Sequence, residues 1–95
     1  MTINDFKASL KSSSPPPLAP ALVALWHDGR GDWDAAHRTA QDVNDKTGAW
    51  VHAYLHRKEG DLDNARYWYG QAGKPEATDS LYAEWERIVM ELLEY

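Results

Sequence analysis

Apolar residues recur every three or four positions through most of the chain, which is the pattern of helices with one buried face. The first such stretch is short and carries Ile3, Phe6 and Leu10 at helical spacing. It ends at the run "SSSPPPLAP", because proline lacks an amide proton and pushes the preceding residue out of the helical region. The pattern predicts an N-terminal helix and a stiff Ser/Pro-rich linker over residues 1–17. The proline run could instead serve as a ligand for an aromatic groove on another protein.

From residue 18 onward, four helical stretches are separated by glycines or turn residues. They read PALVALWHDGRG, DWDAAHRTAQDVND, GAWVHAYLHRKEG and DLDNARYWYGQAGKP. The second and fourth open with acidic residues, which the helix dipole favours at a helix start. In the second, Trp33, Ala36, Ala40 and Val43 form one apolar stripe, and in the fourth a stripe begins at Leu62.

The last stretch, DSLYAEWERIVMELLEY, places Leu81, Trp85, Ile88 and Leu92 on one helix face. No segment alternates apolar and polar residues between turn signals, so no sheet is expected. The sequence therefore predicts an all-α fold with a short N-terminal helix, two helical hairpins and a C-terminal capping helix. Residues 18–95 form the helical domain in this interpretation.

The two hairpins are related by an internal repeat. Superposing Gly31-Asp32 on Gly60-Asp61, 29 residues later, pairs a helix, a tight glycine turn and a second helix in each unit. Asp32 and Asp61 then cap the second helices, which is a better explanation of these acidic turns than a calcium loop.

The second unit resembles a tetratricopeptide repeat over residues 50 to 75. The resemblance rests on the glycine-aspartate turn followed by the small Ala65, the aromatic Tyr69, the small Ala72 and then Pro75. The first unit departs from the pattern, since Ala40 stands where an aromatic is usual and the repeat is about five residues short of the family's spacing. We therefore expect two degenerate hairpins in a compact bundle rather than an extended superhelix. The whole chain is also similar to small bacterial proteins with no established activity.

The tetratricopeptide resemblance implies protein or peptide binding in a groove lined by the first helix of each hairpin. On the second hairpin that face would present Trp50, Tyr54, Arg57 and Lys58. Aromatic and cationic side chains together suit a peptide and its carboxylate. In the alternative interpretation, Trp50 and Tyr54 are core residues under the closing helix and the two cations are solvated.

Tyr67, Trp68 and Tyr69 point about 100° apart around a helix, so they cannot all enter one core. If Tyr69 is the core aromatic, Tyr67 or Trp68 becomes a candidate contact for a partner or for a second copy of the chain. The alternative is that Phe6 and Leu10 of the N-terminal segment cover them.

Composition narrows the possible functions. The chain has 95 residues, 43% of them hydrophobic, with five Trp and five Tyr, which indicates one folded domain. A net charge of -5 disfavours nucleic-acid binding. The absence of cysteine fits a reducing compartment, and no stretch is apolar enough for a membrane span, so we expect a cytoplasmic protein without membrane contact.

One pair of histidines in the chain has the spacing of two metal ligands on a helix. His52 and His56 lie at i and i+4 on a helix, the spacing with which two imidazoles can hold one zinc ion, and His27 or Glu59 could supply a third ligand. The glutamate of a zinc-protease motif is missing between them, and no catalytic residue or cofactor motif emerges. The sequence thus favours a non-catalytic protein- or peptide-interaction module. The alternatives are a homo-oligomeric structural protein and a small metal-binding protein that uses His52 and His56.

Overall fold

The computed structural model describes residues 1–94, and within them every regular element is an α-helix. The six helices are α1 (Ile3–Ser9), α2 (Pro20–Gly29), α3 (Trp33–Gln41), α4 (Lys46–Glu59), α5 (Leu62–Ala72) and α6 (Leu81–Leu93). The predicted all-α fold is confirmed. None of the helices in this described part is long and apolar enough to cross a lipid bilayer.

Local capping explains where the second helix of each hairpin begins. The Asp32 carboxylate accepts a hydrogen bond from the Ala35 amide at 3.0 Å, and Asp61 accepts one from the Asn64 amide at 3.3 Å. Each satisfies an amide that has no partner inside the helix. The two glycine-aspartate turns therefore start α3 and α5, as the repeat predicted.

The connection between α3 and α4 differs from the expectation. Helix α3 ends at Gln41, so Val43 lies in a loop instead of on the α3 stripe. Helix α4 begins at Lys46, two residues before the predicted start, because Asp45 accepts from the Gly48 amide at 3.0 Å and caps the helix. A Cβ on Gly48 would lie 2.3 Å from the Val43 carbonyl oxygen, so glycine lets the loop fold tightly over the first turn.

The hairpins α2/α3 and α4/α5 pack together through α3 and α4, and α6 lies across α2 and α4. Helix α1 packs on α6, where the fully buried Phe6 ring lies 5.7 Å from the Trp85 ring. Two indoles tie separate helices together: Trp85 donates to the Leu25 carbonyl at 3.0 Å, and Trp33 donates to the Leu55 carbonyl at 2.9 Å. A buried indole that finds such a partner contributes both apolar area and a satisfied hydrogen bond.

Leu62 is 58% exposed, which corrects its predicted place at the start of a buried stripe on α5. Its equivalent in the first hairpin, Trp33, is covered because α4 of the next hairpin lies beside it. Within residues 1–94 no third hairpin packs on α5, and α6 packs on α2 and α4 instead. Leu62 therefore has no neighbouring helix to bury it.

Candidate metal centre

Three histidine side chains from two helices converge between the hairpins. His37 comes from α3, His52 and His56 come from α4, and one nitrogen of each lies within 4.8 Å of the others. The Nε2 atoms of His37 and His52 are 3.0 Å apart. In a tetrahedral zinc site, two nitrogen ligands lie about 3.3 Å apart, so small side-chain rotations would bring all three to coordinating positions.

The sequence builds this arrangement by repeating one spacing on each helix. His52 and His56 are four residues apart and share a face of α4, where their rings stack with centroids 4.8 Å apart. On α3, Trp33 precedes His37 by four residues and stacks on it at 4.8 Å. Because α3 packs against α4, the two faces meet.

Two tryptophans fix the orientation of the imidazoles. The Trp68 ring of α5 stacks on His52 at 4.1 Å with an interplanar angle of 7°, and Trp33 lies against His37 at an angle of 9°. Trp33 is itself held by its hydrogen bond to Leu55. Rings held by packing on one side lose little freedom when they bind a ligand on the other, so the site is partly preorganised.

A carboxylate sets the tautomer of His56. Its Nδ1 atom lies 2.6 Å from Glu59 Oε1, so Nδ1 carries the proton and donates it to the carboxylate. Nε2 then keeps its lone pair, and the side-chain amide nitrogen of Asn64 lies 3.5 Å from it. A carboxylate behind a histidine is the usual outer partner of a metal ligand, because it orients the ring and makes the free nitrogen more basic.

The electrostatics keep the His37 and His52 imidazoles neutral. Burial, followed by charge repulsion from the neighbouring His56 and His37, lowers the pKa of His52 to about 4. Burial and His56 also lower the pKa of His37. Metal binding requires deprotonated ligands, so both rings are in the form that binds at neutral pH.

A second group of potential ligands consists of His56, Glu59 and Asp61. In this group the Nδ1 atom of His56 already donates to Glu59, and the Asp61 carboxylate already caps α5. The two exposed carboxylates also leave this group open to water. The three histidines are therefore the better ligand set, with Glu59 as the outer partner.

The structure does not bring His27 into this group. It lies half-buried on α2 with its ring edge-on to Trp26 at 5.2 Å. His27 and His56 occupy equivalent positions in successive hairpins, and equivalent positions point the same way instead of facing each other. His37 is the third histidine of the group instead. The signal for it in the sequence was its four-residue spacing from Trp33, beside the apolar stripe of α3.

Trp50 and Tyr54, two of the predicted groove residues, are buried, with 6% and 2% of their surface exposed. The Tyr54 hydroxyl donates to Asp28 at 2.7 Å, and Lys58 pairs with the same buried carboxylate at 2.9 Å. The Lys74 ammonium lies 4.2 Å from the centre of one Trp50 ring. These side chains therefore take part in internal contacts.

Arg57, the remaining groove residue, donates to the buried Glu84 of α6 at 2.9 Å. Tyr69 donates to the other oxygen of the same carboxylate at 2.6 Å. Helix α6 thus covers the face of α4 that a tetratricopeptide groove would use.

The consecutive aromatics of α5 diverge in exposure. Tyr69 is buried, Trp68 is half-buried against His52, and Tyr67 is 58% exposed with its ring edge-on to Trp68 at 5.1 Å. Phe6 packs on Trp85 of α6 and does not cover either outer aromatic of the triplet. Among the predicted contact residues, Tyr67 is the aromatic that faces solvent.

Comparison with known proteins identified no relative. No protein-family model matches the chain, and neither a curated protein nor a solved structure showed significant similarity to it. The function must therefore be argued from the site itself.

Proposed function

We propose that this protein binds a divalent first-row transition ion, Zn²⁺ being the best suited, through His37, His52 and His56. The observation that carries the proposal is the convergence of three imidazoles with a carboxylate behind one of them. Spacing on one helix brings two histidines together in many proteins. A third histidine from a second helix, with two stacking indoles, is a more specific arrangement.

The chemistry of the ligands selects the class of metal. Ca²⁺ and Mg²⁺ take oxygen ligands, whereas imidazole nitrogen suits Zn²⁺, Co²⁺, Ni²⁺ and Cu²⁺. The chain contains no cysteine, so thiolate-dependent metals and iron–sulfur clusters have no ligands here. A site of three neutral histidines is the kind that Zn²⁺ occupies with an overall positive charge, which the Glu59 carboxylate partly offsets.

The test is a zinc titration of chelator-treated protein, followed by calorimetry and by thermal unfolding. We expect one ion per chain and a rise in the unfolding temperature with zinc concentration, since a ligand that binds only the folded state stabilises it. His37→Ala and His56→Ala should each abolish the rise, while His27→Ala should keep it. Circular dichroism confirms that each variant is folded. The proposal fails if wild-type protein gains no stability, or if the His37 and His56 variants bind zinc as well as wild type.

As a second candidate function, we propose that the outer face of α5 binds a protein partner on a tetratricopeptide-like scaffold. Tyr67 is 58% exposed on this face, and three residues further along, the helical Gly70 leaves open space where a side chain would otherwise stand. An exposed aromatic beside a helical glycine lets another backbone approach closely. The Gly60-Asp61 turn and the buried Ala65, Tyr69 and Ala72 support the tetratricopeptide-like assignment of the scaffold.

This second proposal is tested by affinity capture from cell lysate with wild-type protein and Tyr67→Ala, with Tyr82→Ala on α6 as the exposed control. A partner that is lost only with Tyr67 supports the interaction surface. Light scattering on the free protein distinguishes a foreign partner from a second copy. Equal capture by all three proteins would exclude this face.

A further inference from the structure

The histidine group supplies three protein ligands, and Zn²⁺ takes at least four. Within residues 1–94, no cysteine or carboxylate completes the group formed by His37, His52 and His56. Structural zinc sites have four protein ligands, whereas sites with three keep the fourth position for water or an external ligand. The fourth ligand must therefore come from outside this group.

Asn64 lies where that ligand would be held. Its Nδ2 atom is 3.5 Å from Nε2 of His56, the nitrogen left free by the hydrogen bond to Glu59. Since Nε2 is an acceptor in this tautomer, the amide presents its N–H groups to the site. When a metal takes the Nε2 lone pair, those N–H groups lose their acceptor and need another.

The position is also accessible. His37, Trp33 and Asn64 are half-buried, while His52 and His56 form the deeper side. Beside His52 and Trp68, the loop between α3 and α4 leaves a cavity of about 630 Å³, and Gln41, Asn44 and Gln71 are among the residues that line it. Of the three histidines, His52 alone lines this cavity, so the partly exposed side of His37 and Asn64 is the route by which a small ligand reaches the group.

Building on the proposed metal site, we propose that the bound metal keeps one coordination position open to a small anion, which the Asn64 side-chain amide holds by a hydrogen bond. The ligand must offer a lone pair to the metal and accept a hydrogen bond from Asn64. Azide and small carboxylates meet both requirements. The cationic metal with three neutral imidazoles supplies the charge that favours an anion.

Cobalt(II) in place of zinc makes this position visible, because the absorption bands of cobalt respond to coordination number and to a bound anion. The experiment titrates azide into the cobalt-loaded full-length protein, with cobalt content measured before and after. We expect the visible spectrum to change in a saturable manner. Asn64→Ala should weaken azide binding about threefold to tenfold, the net contribution of one hydrogen bond. Asn44→Ala, on the cavity wall, should leave it unchanged.

Asn64→Asp gives an independent check, since a carboxylate repels the anion or takes the coordination position itself. This variant should bind cobalt and lose its response to azide. If cobalt binds but excess azide leaves the wild-type spectrum unchanged, the open position is refuted while the metal site stands. If azide binds equally to wild type and Asn64→Ala, the assignment of Asn64 is refuted. If cobalt does not bind at all, both proposals fail.

Discussion

At the scale of single residues, the hydrogen bond between His56 and Glu59 is the contact that most distinguishes a metal ligand from an ordinary buried histidine. The carboxylate holds Nδ1 and leaves Nε2 free, in a ring that lies beside His37 and His52. Asp61, two residues further on, caps α5 instead. Glu59 therefore orients a histidine, whereas Asp61 stabilises the start of a helix.

Glu59→Gln should weaken zinc binding about tenfold to a hundredfold, the usual effect of losing an outer carboxylate. Glutamine keeps the size of the side chain but removes the negative charge that accepts the hydrogen bond from His56. Glu94→Gln, an exposed residue at the end of α6, is the control. Competition with a fluorescent zinc chelator measures both affinities. Equal affinity in the Glu59 variant and wild type would remove Glu59 from the site.

Tyr69→Phe should lower the free energy of unfolding by about 1–3 kcal/mol, because Glu84 is fully buried and would lose one of its two hydrogen-bond donors. Tyr67→Phe two residues away removes the hydroxyl of an exposed side chain and should change stability by less than about 0.5 kcal/mol. Urea unfolding of both variants gives the comparison. Similar values for the two would mean that Arg57 alone satisfies the carboxylate.

At the scale of helices, a glycine that ends a helix has a different role from a glycine inside a helix. Gly60 follows α4 with a φ of 90°, in the left-handed region that side chains disfavour. Gly70 lies inside α5, where an added Cβ would meet nothing within 4 Å. The first glycine is required by its backbone conformation, whereas the second is not.

Gly60→Ala should therefore destabilise the protein by about 1–2 kcal/mol, the strain of one left-handed residue with a side chain. Gly70→Ala should stabilise it by about 0.5–1 kcal/mol, because alanine loses less backbone freedom on helix formation. Thermal and urea unfolding of this pair test both signs. Destabilisation by Gly70→Ala would indicate that the open space beside α5 is filled in solution, as a bound partner or second copy would do.

At the scale of the whole molecule, two buried carboxylates link the hairpins to each other and to α6. Asp28 of α2 is held by Tyr54 and Lys58 of α4, and Glu84 of α6 is held by Arg57 and Tyr69. Burying a charge is costly unless it is paired and hydrogen-bonded, so these contacts favour one arrangement of the helices over others.

These contacts predict a loss of stability at alkaline pH. Burial, followed by the hydrogen bond and charge of a carboxylate, raises the pKa of Tyr54 and of Tyr69 above the ordinary value of 10.0. Above pH 10 the unfolded chain therefore releases protons that the folded protein keeps. The stabilisation is complete below pH 10 and is lost as the pH rises toward the raised pKa values.

Urea unfolding between pH 8 and pH 11 measures this loss directly, with pH 10 as the point from which the free energy of unfolding should fall. Tyr69→Phe should show a smaller fall over the same range, since one of the two shifted groups is gone. A wild-type stability that stays constant across this range would contradict the raised pKa values.

Much of the fold could be predicted because helices are specified by neighbours in the sequence. Apolar spacing placed all six helices, and Asp32 and Asp61 marked two of their starts. The α4 boundary was less predictable, since Asp45 caps the helix only when the loop before it folds onto Gly48. Leu62 was misplaced because its burial would require a helix packed beside α5 in the way that α4 packs beside α3, and no helix within residues 1–94 takes that place.

In the candidate site, too, local relations could be predicted from the sequence and contacts between helices could not. His52 and His56 could be recognised from their spacing on one helix, because that relation is local. His37 could not be assigned to them, since it joins the group only through the packing of α3 on α4. The sequence thus determined the helices, the turns and two of the three histidines in the candidate site. Tertiary packing decided which histidines meet, that α6 covers the expected groove, and which aromatic faces solvent, because these depend on contacts between residues far apart in the chain.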